Sequence, residues 1–164
     1  MIFKPKKHNI DLYNTLLVLS RNIFFYDKLE LLDKFETRIY LMFVHFSIMM
    51  IIFKKKKNKF DQDSYDSLFQ NIENNLRELG FGDVAVNKKM KELNKILYDI
   101  LLKIEKPNNK AFKMNENLVV KYFVGLNDIK SDKFADFETY FVNFYNFCFE
   151  LPLNNMIRDA INFK

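Results

Sequence analysis

The sequence predicts an all-α protein: a single compact domain, residues 1–164, with six to seven helices around a central apolar helix. Three observations support this. Only three Gly and three Pro punctuate 164 residues, too few for the many tight turns of a sandwich or barrel. Apolar residues recur at intervals of three and four along most of the chain, the spacing of one helix face. Between Arg38 and Lys54 lie fifteen uncharged residues, Ile39 to Phe53. They form a helix about 22 Å long, short of the ~30 Å hydrocarbon core of a bilayer. That run also holds Tyr40, His45 and Ser47, so it reads as a core helix covered on every side.

The other elements follow in order. Asp11 is a good N-cap. Leu12, Leu16, Leu19 and Ile23 make one stripe of a helix reaching about Tyr26, and Leu29 to Asp33 connects it to the apolar helix. Lys54, Lys55, Lys56, Lys57 and Lys59 then suit a helix C-terminus, where unpaired carbonyls attract cations. A third helix spans about Asp61 to Leu79, with Tyr65, Leu68, Phe69, Ile72, Leu76 and Leu79 inward. Gly80 follows in the position that favours left-handed backbone. Asp83 or Asn87 can cap a fourth helix carrying Met90, Leu93, Leu97, Leu101 and Ile104. Pro107 and the polar Asn108, Asn109 and Lys110 break it. A short helix fits Glu116 to Val124. From Ser131, a helix with Phe134, Phe137, Phe141, Phe144 and Cys148 in heptad spacing runs to Pro152. Asn154 to Phe163 can form a last one.

Composition excludes several functions. Cys148 is the single cysteine, so there is no internal disulfide, and with two His the chain has poor material for a zinc site. His8 and His45 are the only histidines a catalytic triad could use, one in a charged segment and one in an apolar helix. No nucleophile elbow or phosphate-binding loop occurs. The expectation is a protein that is not an enzyme and needs no metal or cofactor. The net charge is +5, and lysine outnumbers arginine 22 to 4. Arginine is the better reader of phosphates and bases, so DNA is not an expected partner. The lysine patch 54–59 instead suits an anionic lipid surface or ribosomal RNA. The start, Met1 to Asn9, shows neither an apolar signal region nor a transit peptide's character, which leads to an intracellular expectation.

The most informative segment is Leu76-Arg77-Glu78-Leu79-Gly80-Phe81-Gly82-Asp83. Arg77 lies roughly 130° from the centre of its helix's apolar stripe and Glu78 nearly opposite it. Neither serves the local core. Glu78 also meets the negative end of the helix dipole and wants a cation, which Lys88 or Lys89 can supply. Asp83 can fold back onto amides of the next segment. Gly80 and Gly82 supply the turn's backbone freedom. Arg38 and His45, seven residues apart, return to nearly the same face of the apolar helix, as a core histidine and helix-end arginine or as a polar seat beneath a groove.

These residues resemble the ubiquinol–cytochrome c chaperones, assembly factors of respiratory complex III. The residues from Leu76 to Asp83 match that family's signature except that Phe81 stands where the family usually has Val, and Val84, Val86 and Lys88-Lys89-Met90-Lys91 continue it. Leu12-Tyr13, Phe25-Tyr26, Arg38, His45, Asp66, Phe69 and Asn75-Leu76 also correspond. The resemblance is strongest over residues 12–105. The chain departs from the pattern at Thr37, at Leu97-Tyr98-Asp99-Ile100 and near Lys121-Tyr122.

The resemblance implies an all-helical, ATP-independent chaperone that binds newly made cytochrome b and supports complex III biogenesis. It implies a small partner protein, proximity to the ribosome, and a position at the inner-membrane surface, cytoplasmic in a bacterium or on the matrix side of a mitochondrion. The implied client determinants are Arg38, His45, Arg77, Glu78, Gly80, Gly82, Asp83, Lys88 and Lys89. Haem contact at His45 would require an open pocket. The aromatic helix from Ser131 and Met42, Met49 and Met50 are either core or an apolar client surface. The alternative function is a basic ribosome- or RNA-binding module, or a peripheral membrane-surface module.

Overall fold

The structure is a computed structural model that describes residues 11–105 and 112–164. The segment Met1–Asn9 with His8, and the break at Pro107 to Lys110, lie outside the described residues. Regular structure among the described residues is helical: α1 (Asp11–Ser20), α2 (Ile23–Asp27), α3 (Phe35–Lys55), α4 (Gln62–Glu78), α5 (Asp83–Glu105), α6 (Glu116–Tyr122), α7 (Asp132–Glu150) and α8 (Leu153–Asp159), with 3-10 turns at Val124–Leu126 and Ala160–Asn162.

The expected single first helix is two. Asn22 ends it by accepting a hydrogen bond from the Phe24 amide at 3.0 Å, so its side chain starts α2 instead of prolonging α1. Tyr26 fastens the bend by donating to the Ser20 carbonyl at 2.7 Å. This split accounts for an eighth α segment. The expected caps of the fourth helix, Asp83 and Asn87, both lie inside α5; α4 and α7 are capped by side chains. Asp61 accepts from the Ser64 amide at 3.2 Å, and Ser131 from the Phe134 amide at 3.2 Å.

α3 is the centre. Twelve of its residues are buried, from Ile39 to Ile52, and α1, α5, α7 and α8 pack around it. By length and composition α3 could cross a membrane, but 67% of its most apolar stretch is buried inside the protein, where other helices satisfy it. α4 packs on α1 and α5 and reaches α3 through stacked Phe43–Phe69 rings 6.0 Å apart. On α5 the buried seam is Val86, Leu93, Leu97 and Ile100. Ile100 takes the place expected of Leu101, which is half-buried. On α7 all five heptad residues, Phe134 to Cys148, are buried, as are Tyr140 and Tyr145. The heptad aromatics of α7 with Tyr140 and Tyr145 are core, as are Met42 and Met49; Phe147 and Met50 are half-buried, and Phe149 is exposed.

His45 sits at the middle of this core and is fully enclosed. Its ring is walled edge-on by Phe141 at 4.8 Å and Phe144 at 4.7 Å. Nδ1 lies 2.6 Å from the Leu41 carbonyl and Nε2 2.8 Å from the Tyr140 hydroxyl. The neutral tautomer that fits donates from Nδ1 to Leu41 and accepts from Tyr140 at Nε2. Both polar atoms are thus satisfied, as a buried imidazole requires.

Burial pushes the His45 imidazole down from 6.5 to about 3, against the smaller opposing effect of the Leu41 hydrogen bond. The unfolded chain therefore binds a proton that the folded one refuses between these values. The contribution is complete above about pH 6.5 and is lost as pH falls, by about 2 kcal/mol between pH 6.5 and 5. Urea unfolding at pH 7 and pH 5 is expected to show this loss in the wild type. His45→Gln is expected to be less stable at pH 7, with a deficit that shrinks at pH 5. A constant deficit would contradict the assignment.

Candidate functional site at the turn between α4 and α5

The turn joining α4 to α5 is built by its backbone. α4 ends with the Gly80 amide bonded to the Arg77 carbonyl at 3.0 Å and the Phe81 amide to the Leu76 carbonyl at 3.3 Å. This pair of bonds requires left-handed backbone between them, and Gly80 has φ +96°. α5 begins when the Val86 amide reaches the Gly82 carbonyl at 2.9 Å.

Side chains brace the same turn. Arg77 donates to the Asp83 carboxylate across the gap and lies 3.5 Å from Glu73 one turn back. The hydrogen bond it donates to Asp83 is the main reason the guanidinium is held above its usual range. Asp83 was expected to bond to backbone amides, but its carboxylate goes to Arg77, the nearer full charge. Glu78 was expected to pair with Lys88 or Lys89. It forms no ion pair with either, and Lys89 instead lies over the Phe81 ring at 4.8 Å.

The braced turn displays apolar surface. Leu79, Phe81 and Val84 are 56%, 38% and 85% exposed. Leu79 was expected to join the buried stripe of α4. The stripe stops at Leu76: Leu79 is already the helix cap, where the packed face of α4 ends. Arg77, Glu78, Gly80, Gly82, Asp83 and Lys88 are exposed beside these groups, and Lys89 is half-buried.

The remaining candidates stand elsewhere. Arg38 is at the start of α3, with Nε 3.0 Å from the Asp33 carboxylate. His45 is enclosed in the core with both nitrogens engaged, so it forms no seat beneath an open groove and offers no open ligand position. Lys55 donates to the Tyr145 hydroxyl at 3.0 Å. Lys56 donates to the carbonyls of Phe149 at 2.5 Å and Leu151 at 3.2 Å, where the end of α7 leaves acceptors unpaired. Two of the five patch lysines thus fasten α3 to α7, while Lys57 and Lys59 are exposed. Among the described residues no three His, Cys, Asp or Glu side chains could together hold a metal ion.

One cluster escaped sequence reasoning. The Asp99 carboxylate on α5 accepts from Lys103 and Lys121, each at 2.9 Å, and from the Tyr122 hydroxyl. Burial raises Asp99, but these three hydrogen bonds outweigh it and hold the carboxyl well below the usual range. Tyr122 is pushed up to about 12, chiefly by burial and by its bond to Asp99. Asp99 and Lys121-Tyr122 are two of the places where the chain departs from the resembled pattern. Here they form one α5–α6 contact.

Fold and turn together describe a helical protein that displays a braced, partly apolar loop on its surface. Residues 27–136 match the family model described as ubiquinol-cytochrome C chaperone, and the matched span contains this turn. The chain belongs to that family, which supports a role as a complex III assembly chaperone. No curated protein and no solved structure matches the chain.

Three substitutions test this geometry. Gly80→Ala meets no neighbour within 4 Å, so its penalty is conformational, about 1–2 kcal/mol in urea unfolding. Gly82→Ser has the same open space and supplies a better cap, so it is expected within about 0.5 kcal/mol of wild type. Asp99→Asn is expected to lose about 1–2 kcal/mol at pH 7 by removing a charged acceptor of three donors. Because Asp99 is depressed, its contribution is complete above about pH 4 and declines as the medium becomes more acid. A pH-independent difference between the two proteins in acid would contradict this.

Proposed function

We propose that this complex III assembly chaperone holds newly made cytochrome b and meets it at the turn between α4 and α5. The observation that carries the reading is the exposure of Leu79, Phe81 and Val84 on a loop braced by Arg77 and Asp83, inside the span that matches the family. A bundle of apolar client helices needs apolar partners, and most of the large aromatics of α7 are already used in the core. A pre-ordered loop binds with less loss of conformational freedom than a mobile one. The action is non-covalent: the apolar side chains cover client surface while Glu78, Asp83 and the lysines keep the loop itself in water.

In this reading Arg77 and Asp83 are positioning residues, and Gly80 sets the path of the backbone. The site of action is the inner-membrane surface, on the cytoplasmic side in a bacterium or the matrix side in a mitochondrion. A small partner protein and the ribosome are further proposed contacts.

The test is affinity purification of the tagged protein from native membranes with mass spectrometry, beside an Arg77→Ala/Asp83→Ala variant. The variant is expected to stay folded, because both side chains are exposed and surface ion pairs contribute only about 0–1 kcal/mol. The wild type is expected to enrich cytochrome b, and the variant to lose most of that enrichment. Equal enrichment by both would remove the turn from the mechanism. Enrichment of ribosomal proteins without cytochrome b would overturn the client assignment.

A further inference from the structure

α5 has two faces, and its outer face is unusual for a solvated helix. The inner face, Val86, Leu93, Leu97 and Ile100, is buried against α3 and α4. On the outer side Val84, Lys88, Lys91, Lys95, Tyr98 and Leu102 fall within about 40° of one line, over a length of about 27 Å. All six are exposed: Val84 by 85%, Tyr98 by 59% and Leu102 by 63%, with the three lysines also in water. Apolar groups stand at both ends and a row of cations in the middle. No carboxylate lies within that stripe. Asp99, beside it, is occupied by Lys103, Lys121 and Tyr122.

We infer that the outer face of α5 docks on an anionic lipid bilayer. The row of lysines matches a layer of anionic headgroups, to which each adds a similar increment of attraction. Val84 and Leu102 gain by entering the headgroup–acyl boundary, and Tyr98 is amphipathic in the way that suits such a boundary. A nucleic acid fits less well. Its recognition favours arginine forks and aromatic platforms, whereas this face has lysines flanked by aliphatic groups. Docking here would lay α5 along the membrane and set the turn at its start next to the bilayer, where helices of a membrane-protein client emerge. The inference deepens the chaperone reading, yet it concerns lipid alone and is read without a client.

The experiment is flotation of the purified full chain with phosphatidylcholine vesicles, with and without phosphatidylserine. The wild type is expected to float with the anionic vesicles only. Lys88→Gln/Lys91→Gln/Lys95→Gln is expected to weaken partitioning roughly fivefold per lysine, on the order of a hundredfold together. Leu102→Ser is expected to weaken it several-fold even at high salt, where the lysine effect is screened. Lys57→Gln/Lys59→Gln, outside α5 and beyond the end of α3, is expected to float like the wild type. Equal flotation of the triple variant, loss in the Lys57/Lys59 variant, or no flotation on either vesicle would overturn the inference. Cytochrome b capture by the triple variant is scored separately, so failure of lipid docking and failure of the client reading give different results.

Discussion

A helix of 21 residues with twelve buried side chains has to be enclosed, and the rest of the fold follows from that. α3 is apolar on all sides, so no single partner can cover it. α1, α5, α7 and α8 surround it, each contributing a stripe of apolar residues. His45 is a titratable group placed in the middle of this arrangement. It is tolerated because Leu41, one turn earlier, and Tyr140, on α7, satisfy its two nitrogens. An unpaired imidazole there would carry the full penalty of burying a polar group, so α3 and α7 are held in one register by a polar contact inside an apolar core.

Enclosure also decides where function can reside. Most aromatics of α7 are spent inside, as are Met42 and Met49 of α3. Two places left for a partner are the braced turn from Arg77 to Asp83 and the outer face of α5 that continues from it. The two are contiguous along the chain, and both combine exposed aliphatic groups with charge. Lys55 and Lys56, by contrast, are drawn into structure, Lys55 by the Tyr145 hydroxyl and Lys56 by the carbonyls at the end of α7.

Much of this was legible in the sequence, for physical reasons. The charge-free run of α3 and the three-and-four spacing of α7 directly express helical burial, and Gly80 marks a backbone path that other residues resist. The misreadings share a cause. Periodicity carries Leu79 into a stripe that has already ended, because spacing alone does not register the cap. It also carries α1 past Asn22, whose side chain competes with the helix for an amide. Contacts between distant segments leave no periodic trace. Tyr140 on His45 and Lys121 and Tyr122 on Asp99 are of this kind, and the pairing of Arg77 with Asp83 shows only when the turn is closed.

The central claim is that the exposed turn of this family member touches cytochrome b. The most direct measurement is photo-crosslinking in native membranes with a benzophenone amino acid at position 81, beside one at Val124, which is also largely exposed but lies away from this turn in the chain. The account predicts a cytochrome b adduct from position 81 and little or none from position 124. Adducts of equal yield from both positions, or none to cytochrome b from position 81, would contradict it.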